Sequence, residues 1–280
     1  MRIGVHPNNL HLRLARLWPG SFAGLEPEFV MYGEGRDTAS LLESGRIHFG
    51  GTGSTPPIEA DAKGLDVRYI AASAPRPANG AIFARADSDI RMIADLAGKR
   101  ISLVDGSFHT YLLARSLEGE GLGLADVTRI ESGNLDSLRE LLEGRVDAWV
   151  AMSPRLEKVA DRQDLRLIAR CGSTIPNRSL FWTLERHGLS AATINAIVIE
   201  LDRIGREVTA NIRKAAELLA AEEGSEGDGD SWERVLRSRD FSVVPADDAI
   251  IDEQQEEADT LYRHGHFSNP VALKRPALTA

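Results

Sequence analysis

The stretch Ile47-His-Phe-Gly-Gly-Thr-Gly-Ser-Thr-Pro-Pro57 decides how this chain is interpreted. A short apolar run predicts a strand that stops at Gly50 and enters a tight loop of glycine, threonine and serine. Proline is tolerated in a first helical turn and Ser54 or Thr55 can cap it, so a helix is predicted to begin there. The loop N–H groups and hydroxyls, with the helix dipole behind them, form a candidate anion site. The alternative is an ordinary strand-to-helix turn.

Composition excludes several classes of protein. The chain has 280 residues, 42% of them hydrophobic and 27% charged, which is typical of a globular protein with room for two lobes. Its net charge of -9, with no long basic run, argues against nucleic acid or an anionic membrane as partner. Cys171 is the only cysteine, so no internal disulfide forms. No apolar stretch approaches the roughly 20 residues that span a bilayer.

The N-terminus leaves the location open. Met1 leads at once into the strand-like run Arg2-Ile-Gly-Val, without the pattern of a signal peptide. The protein is expected to be cytoplasmic if Met1 is the native start. It is expected to be periplasmic or at the cell surface if an export signal was removed.

One pattern occurs twice along the chain. Arg2-Ile-Gly-Val precedes the polar loop His6–Asn9 and a helical run, and Arg100-Ile-Ser-Leu-Val precedes Asp105–His109 and a second helical run. The helix that ends near Leu41 and the strand Ile47-His-Phe have counterparts in Leu135–Glu143 and the strand through Trp149. Matched features at similar spacing indicate duplicated α/β architecture with a mostly parallel sheet in each half.

The repeat predicts three chain segments in two lobes. Residues 1–80 and 177–280 form lobe 1, and residues 81–176 form lobe 2. Strands around Val67 and Ala81 flank the first crossover, a strand after Asn177 returns, and one long helix covers Ile197 to Leu219. A last helix, Asp247–His264, is expected to pack on lobe 1. Ligands in such sheets lie beyond the carboxyl ends of the strands, in loops such as Ala151–Pro154.

The chain resembles the solute-binding proteins of sulfonate, taurine and nitrate ABC importers over nearly its whole length. The segments that carry the resemblance are Gly51-Thr-Gly-Ser-Thr-Pro-Pro, Asp95-Leu-Ala-Gly-Lys-Arg-Ile, Gly106-Ser, Gly144-Arg-Val-Asp-Ala-Trp and Ala258-Asp-Thr-Leu-Tyr. The resemblance implies a type 2 periplasmic-binding fold, with two α/β lobes, two crossovers and a hinged cleft. It also implies a small organic anion, sulfonate-like or carboxylate-like, as ligand and importer membrane subunits as partners.

Two departures keep a second hypothesis open. The turn Met152-Ser-Pro-Arg replaces the acidic and aromatic turn that is common in that family, and an export signal is absent. The same fold is shared by cytosolic enzymes that include an aryl sulfinate desulfinase and a pyrimidine synthase of thiamin biosynthesis. The resemblance to the desulfinase puts His6 at the place of its catalytic cysteine and His48 at the place of a basic residue. The enzyme hypothesis is therefore a lyase- or hydrolase-type reaction without metal.

The candidate residues follow from these loops. Proton transfer in the enzyme hypothesis is assigned to His6 together with His48 or His109. Each candidate also has a structural interpretation: His6 as a loop cap, His48 as a structural histidine and Arg178 as a surface arginine rather than an anion partner. The predicted ligand contacts are His6, Asn8, Asn9, Gly51, Thr52, Gly53, Ser54, Thr55, Gly106, Ser107, Phe108, Met152, Ser153 and Arg178.

Neither a cofactor nor a metal is expected. The sequence contains no dinucleotide fingerprint, P-loop, His-Glu-x-x-His or paired-cysteine motif. His264 and His266 have no third ligand nearby in the sequence. Cys171 is interpreted as a buried small residue, and Trp149 as part of a core.

Overall fold

The computed structural model describes residues 1–76, 79–131, 136–159, 161–172, 175–224 and 227–275. The chain forms two compact units. Unit 1 comprises Met1–Arg76, Arg178–Gln254 and Leu273–Ala280, and unit 2 comprises Pro77–Asn177 and Gln255–Ala272.

Strands and helices alternate along most of the chain. The strands are β1 Arg2–Val5, β2 Glu28–Met31, β3 Phe49–Thr52, β4 Val67–Ser73, β5 Gly80–Arg85, β6 Arg100–Leu103, β7 Thr128–Glu131, β8 Ala148–Met152, β9 Leu165–Arg170, β10 Leu180–Leu184 and β11 Val243–Pro245. The α-helices are α1 Leu10–Leu17, α2 Thr38–Glu43, α3 Thr55–Ala62, α4 Phe108–Glu118, α5 Ser137–Leu142, α6 Arg155–Lys158, α7 Ala191–Ala210, α8 Ile212–Glu223, α9 Gly229–Arg237 and α10 Asp248–Arg263.

Each unit is built on one mixed sheet. The strand order is β11-β4-β10-β3-β1-β2 in unit 1 and β7-β6-β8-β5-β9 in unit 2. In unit 1, β1 pairs in parallel with β2 and β3, and β10 runs antiparallel to both β3 and β4. In unit 2, β6 pairs in parallel with β7 and β8, and β5 runs antiparallel to both β8 and β9. The arrangement β2-β1-β3-β10-β4 thus matches β7-β6-β8-β5-β9, which confirms the duplicated architecture.

The topology brings chemistry-bearing loops to one edge of each sheet. In unit 1 the parallel strands β1, β3 and β4 all end at the edge that we call the unit 1 strand-end edge, formed by residues 6–9, 53–54 and 74–76. The corresponding unit 2 strand-end edge is formed by residues 104–107 and 153–154, which follow β6 and β8. Ligands in open α/β sheets bind at this type of edge.

Helices cover both faces of the unit 1 sheet. One apolar cluster joins Ile3 and Phe181 to residues of α1, α7, α8 and α9. A second cluster joins Trp182 to residues of α2, α3 and α10. Adjacent residues of β10 therefore point to opposite faces, as strand geometry requires. In unit 2, Trp149 is buried in a cluster with Phe83, as predicted from its strand position.

Strand β3, in the stretch Ile47–Pro57, has other bounds than predicted. It begins at Phe49 rather than Ile47 and continues through both glycines to Thr52. Gly51 pairs with Phe181 of β10 within the sheet. A Cβ on Gly51 would lie 2.5 Å from Asn9 Nδ2 and 2.9 Å from the Phe181 ring, so glycine at this position permits close packing. The predicted open glycine loop is thus reduced to Gly53 and Ser54.

The predicted long helix is instead two helices. Asn211 leaves helical geometry between α7 and α8 (φ -134, ψ 47), and its side chain donates to the carbonyl of Glu207 at 2.8 Å. A side-chain amide that bonds to the backbone in this way competes with the helical hydrogen-bond ladder.

The last helix also departs from the expectation that it packs on lobe 1. The division between units falls within α10, between Gln254 and Gln255. In its first half, Ile250 belongs to a unit 1 core cluster, whereas at its end Arg263 pairs with Glu118 of unit 2 at 3.1 Å. Leu135, predicted to begin the helix observed as α5, lies outside the described residues.

Candidate functional site

His6 follows β1 directly and is buried at the unit 1 strand-end edge. Its Nε2 lies 3.0 Å from the carbonyl oxygen of Gly51. Because a carbonyl can only accept, Nε2 carries the proton and Nδ1 is left as an acceptor. Burial lowers the pKa of His6 to about 4, partly offset by the bond to Gly51, so the ring is neutral at pH 7. Nδ1 is buried and has no hydrogen-bond partner among the described residues.

Asn9 caps α1 and presents a donor at the same place. Its Oδ1 accepts from the N–H of Leu12 at 3.0 Å, which fixes the orientation of the amide. Its Nδ2 is therefore the donor end, packed against Gly51. Within the described part of the chain this buried Nδ2 has no acceptor. Asn8, its neighbour, is partly exposed.

Ser54 supplies a third polar atom. It precedes α3 and is buried. Ser54 was one of two residues predicted to cap this helix, but its side chain makes no capping hydrogen bond. Its hydroxyl has no partner among the residues that the structure describes. Thr55 is the first residue of the helix, and Pro56 and Pro57 follow without N–H groups. The helix start therefore offers fewer backbone donors than the loop interpretation assumed.

Thr52 was predicted to contact the ligand, and its hydroxyl is already used within the fold. It donates to the carbonyl of Gly53 at 2.7 Å and accepts from Nε1 of Trp182 at 3.0 Å. In this structure the bond from Trp182 holds β3 to β10, and the contact of this hydroxyl with a ligand stays a prediction. At this edge, among the described residues, His6, Asn9 and Ser54 each have a buried side-chain polar atom without a hydrogen-bond partner.

Two arginines that sequence reasoning did not single out bring positive charge to this edge. Arg76 follows β4 and is buried, and Arg239 precedes β11. Their segments are adjacent because the N–H of Ala74 donates to the carbonyl of Ser242 at 2.9 Å. Burial, together with both guanidinium charges, lowers the pKa of His11 in α1 to about 3. The only available sequence signal was an arginine placed between two prolines in the predicted crossover.

At the unit 2 strand-end edge, the hydroxyl of Ser107 and the N–H of Gly106 are hydrogen-bonded within the unit. The hydroxyl of Ser107 donates to the carbonyl of Val104 at 2.6 Å and accepts from the N–H of His109. The N–H of Gly106 donates to Asp105 and to Thr110.

The three other residues of unit 2 that were predicted to contact the ligand make contacts within the unit. Phe108 is buried with its ring 5.7 Å from that of Tyr111, so it packs within the unit. The hydroxyl of Ser153 bonds to Glu157. Met152 packs against Gly80, since its Sδ atom would lie only 2.9 Å from a Cβ at that position.

His109 is a structural histidine rather than a candidate acid or base. Its Nδ1 accepts from the N–H of Val104 at 3.4 Å, and the ring also bonds to the backbone of Val150. Burial, aided by the charge of Arg155, lowers its pKa to about 3. Both ring nitrogens are thus engaged by backbone groups.

His48 lies at the opposite end of β3 from His6. Its Nδ1 accepts from the N–H of Arg2 at 3.0 Å, and its ring lies 5.8 Å from that of His187. Since β3 carries the chain four residues from His48 to Thr52, the two sheet edges are separated by about 13 Å. The predicted proton-transfer pair of His6 and His48 is therefore excluded by geometry.

Arg178 is paired internally. Its Nε and one terminal nitrogen bind the carboxylate of Glu253 at 2.6 and 2.8 Å, and its other terminal nitrogen donates to the carbonyl of Ser73 at 3.0 Å. Such a bidentate pair uses the face of the guanidinium that an anion would need. The structure thus shows Arg178 paired within the fold, and its role as an anion partner stays a prediction.

The comparisons with known proteins agree with this architecture. The sequence profile of the NMT1/THI5-like family matches residues 21–178, more than half of the chain. The chain belongs to the NMT1/THI5-like family. This member of the family contains, within the described residues, neither a cluster of three or more His, Cys, Asp and Glu suited to a metal ion nor a helix long and apolar enough to cross a membrane.

The NMT1/THI5-like chain is similar to two bacterial proteins named for aliphatic sulfonate binding. It is 30% identical to one from Escherichia coli (strain K12) over 157 residues, which are 55% of the chain and 49% of that protein. The aligned part therefore spans about half of the E. coli relative. It is 25% identical to one from Bacillus subtilis (strain 168) over 254 residues, which are 90% of the chain and 76% of that protein.

Solved structures match almost the whole NMT1/THI5-like chain. The alkanesulfonate-binding protein SsuA from Xanthomonas axonopodis pv. citri, bound to MOPS, has a TM-score of 0.86 and 27% identity and covers 97% of this chain and 95% of its own. The periplasmic aliphatic sulphonate binding protein SsuA from Escherichia coli has a TM-score of 0.85 at 23% identity, covering 97% and 94%. The second match supports the fold alone. Together they confirm the predicted two-unit periplasmic-binding fold.

Proposed function

We propose that this protein binds a small organic anion, of the sulfonate class, at the unit 1 strand-end edge. The observation that carries the proposal is the group of three buried polar atoms there, His6 Nδ1, Asn9 Nδ2 and Ser54 Oγ, which lack partners among the described residues. A buried polar atom without a hydrogen bond costs about 1–3 kcal/mol, so native proteins retain few of them without a reason. A polar ligand that meets these atoms supplies that reason.

The chemistry of the edge suits an anion. Asn9 Nδ2 and Ser54 Oγ are donors, and the start of α3 adds the positive end of a helix dipole. Arg76 and Arg239 contribute positive charge near His11. Sulfonate is preferred over other anions because relatives that align with 90% or more of this chain, from Bacillus subtilis and from Xanthomonas, are named for binding sulfonates.

Binding rather than turnover is the better-supported role. The enzyme alternative required a second histidine beside His6, and His48 lies at the other edge of the sheet. His109 has both nitrogens bonded to backbone groups. We further propose that the protein serves as the substrate-binding component of an ABC importer, with the importer's membrane subunits as its partner.

A ligand screen with chemical identification tests the proposal. Thermal unfolding is measured with ethanesulfonate, acetate and nitrate, and with ethylammonium as a control of similar size and opposite charge. A true ligand at a hundredfold excess over its Kd stabilises the folded state by about 2.7 kcal/mol. We expect ethanesulfonate to stabilise the protein and to be recovered intact by mass spectrometry. No stabilisation by any sulfonate, or equal stabilisation by ethylammonium, would contradict the proposal.

A further inference from the structure

The three polar atoms of the unit 1 strand-end edge are not all of one kind. Asn9 Nδ2 can only donate, because its Oδ1 is held by the N–H of Leu12. His6 Nδ1 can only accept, because the proton of the neutral ring lies on Nε2, which donates to Gly51. Both side chains lie at the end of β3: Nε2 of His6 contacts the carbonyl of Gly51, and Nδ2 of Asn9 packs against Gly51, so a donor and an acceptor are present at the same edge.

A plain alkanesulfonate matches only half of this arrangement. Its head group carries oxygen acceptors, which satisfy Asn9 Nδ2 and Ser54 Oγ but repel the lone pair of His6 Nδ1. We propose that the physiological ligand carries a hydrogen-bond donor, such as a hydroxyl, next to its anionic group, and that His6 Nδ1 accepts from this donor. This inference rests on the proposed function and narrows its substrate class to hydroxylated organic anions.

The competing arrangement is a protonated His6 that binds the anion as a cation. The surroundings of the ring disfavour it. Burial lowers the pKa of His6 and outweighs the bond to the Gly51 carbonyl, which raises it, and the ring packs against the neutral ring of Tyr32 with 5.6 Å between ring centroids. Tyr32 is the ionisable group at this contact, and burial raises its pKa above the usual range, so it stays neutral. No carboxylate is among the groups that shift the pKa of His6.

The test uses two ligands that differ by one hydroxyl. Calorimetric titration at pH 7 compares ethanesulfonate with 2-hydroxyethanesulfonate, each in two buffers of different ionisation enthalpy, so that proton uptake is measured together with affinity. A neutral hydrogen bond is worth about 0.5–1.5 kcal/mol. We therefore expect the hydroxylated ligand to bind roughly 3- to 10-fold more tightly, with no proton taken up.

Two variants tie this preference to one atom. In His6→Gln the side-chain amide can still donate to the Gly51 carbonyl, but the acceptor at Nδ1 is lost, so the two ligands should bind with equal affinity. His48→Gln makes the same substitution at the far end of β3 and should keep the preference of the native protein.

Three results would overturn the inference. Equal affinities in the native protein would do so, as would tighter binding of ethanesulfonate accompanied by uptake of one proton. A preference that persists in His6→Gln would also do so. In each case the binding of sulfonates as such would still stand, whereas failure of both ligands to bind would refute the proposed function itself.

Discussion

A histidine bonds to the carbonyl of Gly51 in unit 1, and another bonds to the backbone of Val150 in unit 2. Gly51 and Val150 occupy equivalent positions: each lies two residues after the residue, Phe49 or Ala148, that pairs with the neighbouring parallel strand at Ile3 or Ile101. In unit 2 the histidine is His109, and its second nitrogen accepts from a backbone N–H. In unit 1 the histidine is His6, and its second nitrogen has no partner among the described residues.

The same contrast recurs at two further pairs of positions. Asn9 caps the helix after β1 and Ser107 caps the helix after the matching strand β6, but only Asn9 has an unused donor left among the described residues. Ser54 and Ser153 each follow the next parallel strand, and only the hydroxyl of Ser54 lacks a described partner. Identical topology therefore does not give the two edges the same hydrogen bonding, and this difference supports the proposal that the anionic group binds in unit 1.

The largest expected effect on sulfonate affinity comes from a negative charge at the N-terminal cap of α1. Asn9→Asp keeps a cap oxygen for Leu12 but replaces the donor Nδ2 with a carboxylate oxygen, which repels an anion. Loss of a charge-assisted hydrogen bond alone costs about 1.5–3 kcal/mol, so sulfonate affinity should fall by on the order of 100-fold. Calorimetric titration measures the change.

Ser107→Asp is the matched variant in unit 2. Aspartate is also a good cap, and this cap lies at the satisfied edge, so affinity should change by less than about fivefold. If both variants lost affinity equally, the distinction between the two edges would be wrong.

The second effect concerns stability in acid. His109 is neutral and buried with a pKa lowered from 6.5 to about 3, so the unfolded chain takes up a proton that the folded protein does not. Its contribution to stability is complete above pH 6.5 and is lost as the pH falls from there towards 3. His109→Gln should therefore reduce the slope of the unfolding free energy between pH 6 and 4 by about 1.4 kcal/mol per pH unit. Urea titrations at three pH values measure the slope, and an unchanged slope would contradict the buried neutral state.

The third effect distinguishes the two serines. Ser54→Ala removes a donor from the ligand and should weaken sulfonate binding by about 3- to 10-fold. Ser153→Ala instead removes the donor to Glu157, so it should lower the free energy of unfolding and leave affinity unchanged. Calorimetry and urea denaturation on both variants measure the two quantities. The opposite assignment of effects would place the anion in unit 2.

The smallest effect is expected at the opposite ends of the strands. His48 Nδ1 accepts from the N–H of Arg2, just as Asp147 accepts from the N–H of Arg100 at 2.8 Å. His48→Gln should cost less than about 1 kcal/mol of stability, since the bond is partly exposed, with no change in sulfonate affinity. A loss of binding in this variant would contradict the placement of the anion at the other edge of the sheet.

Much of the fold could be predicted from the sequence because repetition and periodicity are local signals. The repeat that begins at Arg2 and Arg100 predicted the two matching sheets, and β4, β5 and β10 were predicted close to their observed positions. The end of β3 was misjudged because two adjacent glycines usually end a strand, whereas here Gly51 allows Asn9 and Phe181 to pack closely.

The site was less predictable because hydrogen-bond partners come from distant parts of the chain. The sequence predicted a ligand contact for Thr52 because its hydrogen bond from Trp182, 130 residues later, depends on the fold. The sequence likewise could not show that Arg178, predicted to contact an anion, pairs with Glu253. Asn9 and Ser54 were predicted contacts, and their proposed role still depends on ligand experiments. Whether a polar atom has a partner is a tertiary property that composition and spacing do not carry.

The most direct measurement of the central claim follows the side-chain amide of Asn9 during titration with ethanesulfonate. Its two N–H signals in a ¹H–¹⁵N spectrum are identified by their loss in Asn9→Asp. If the anion binds at the unit 1 strand-end edge, these signals shift progressively and saturate at the Kd found by calorimetry. Signals of Asn9 that stay fixed while the ligand saturates the protein would contradict the account.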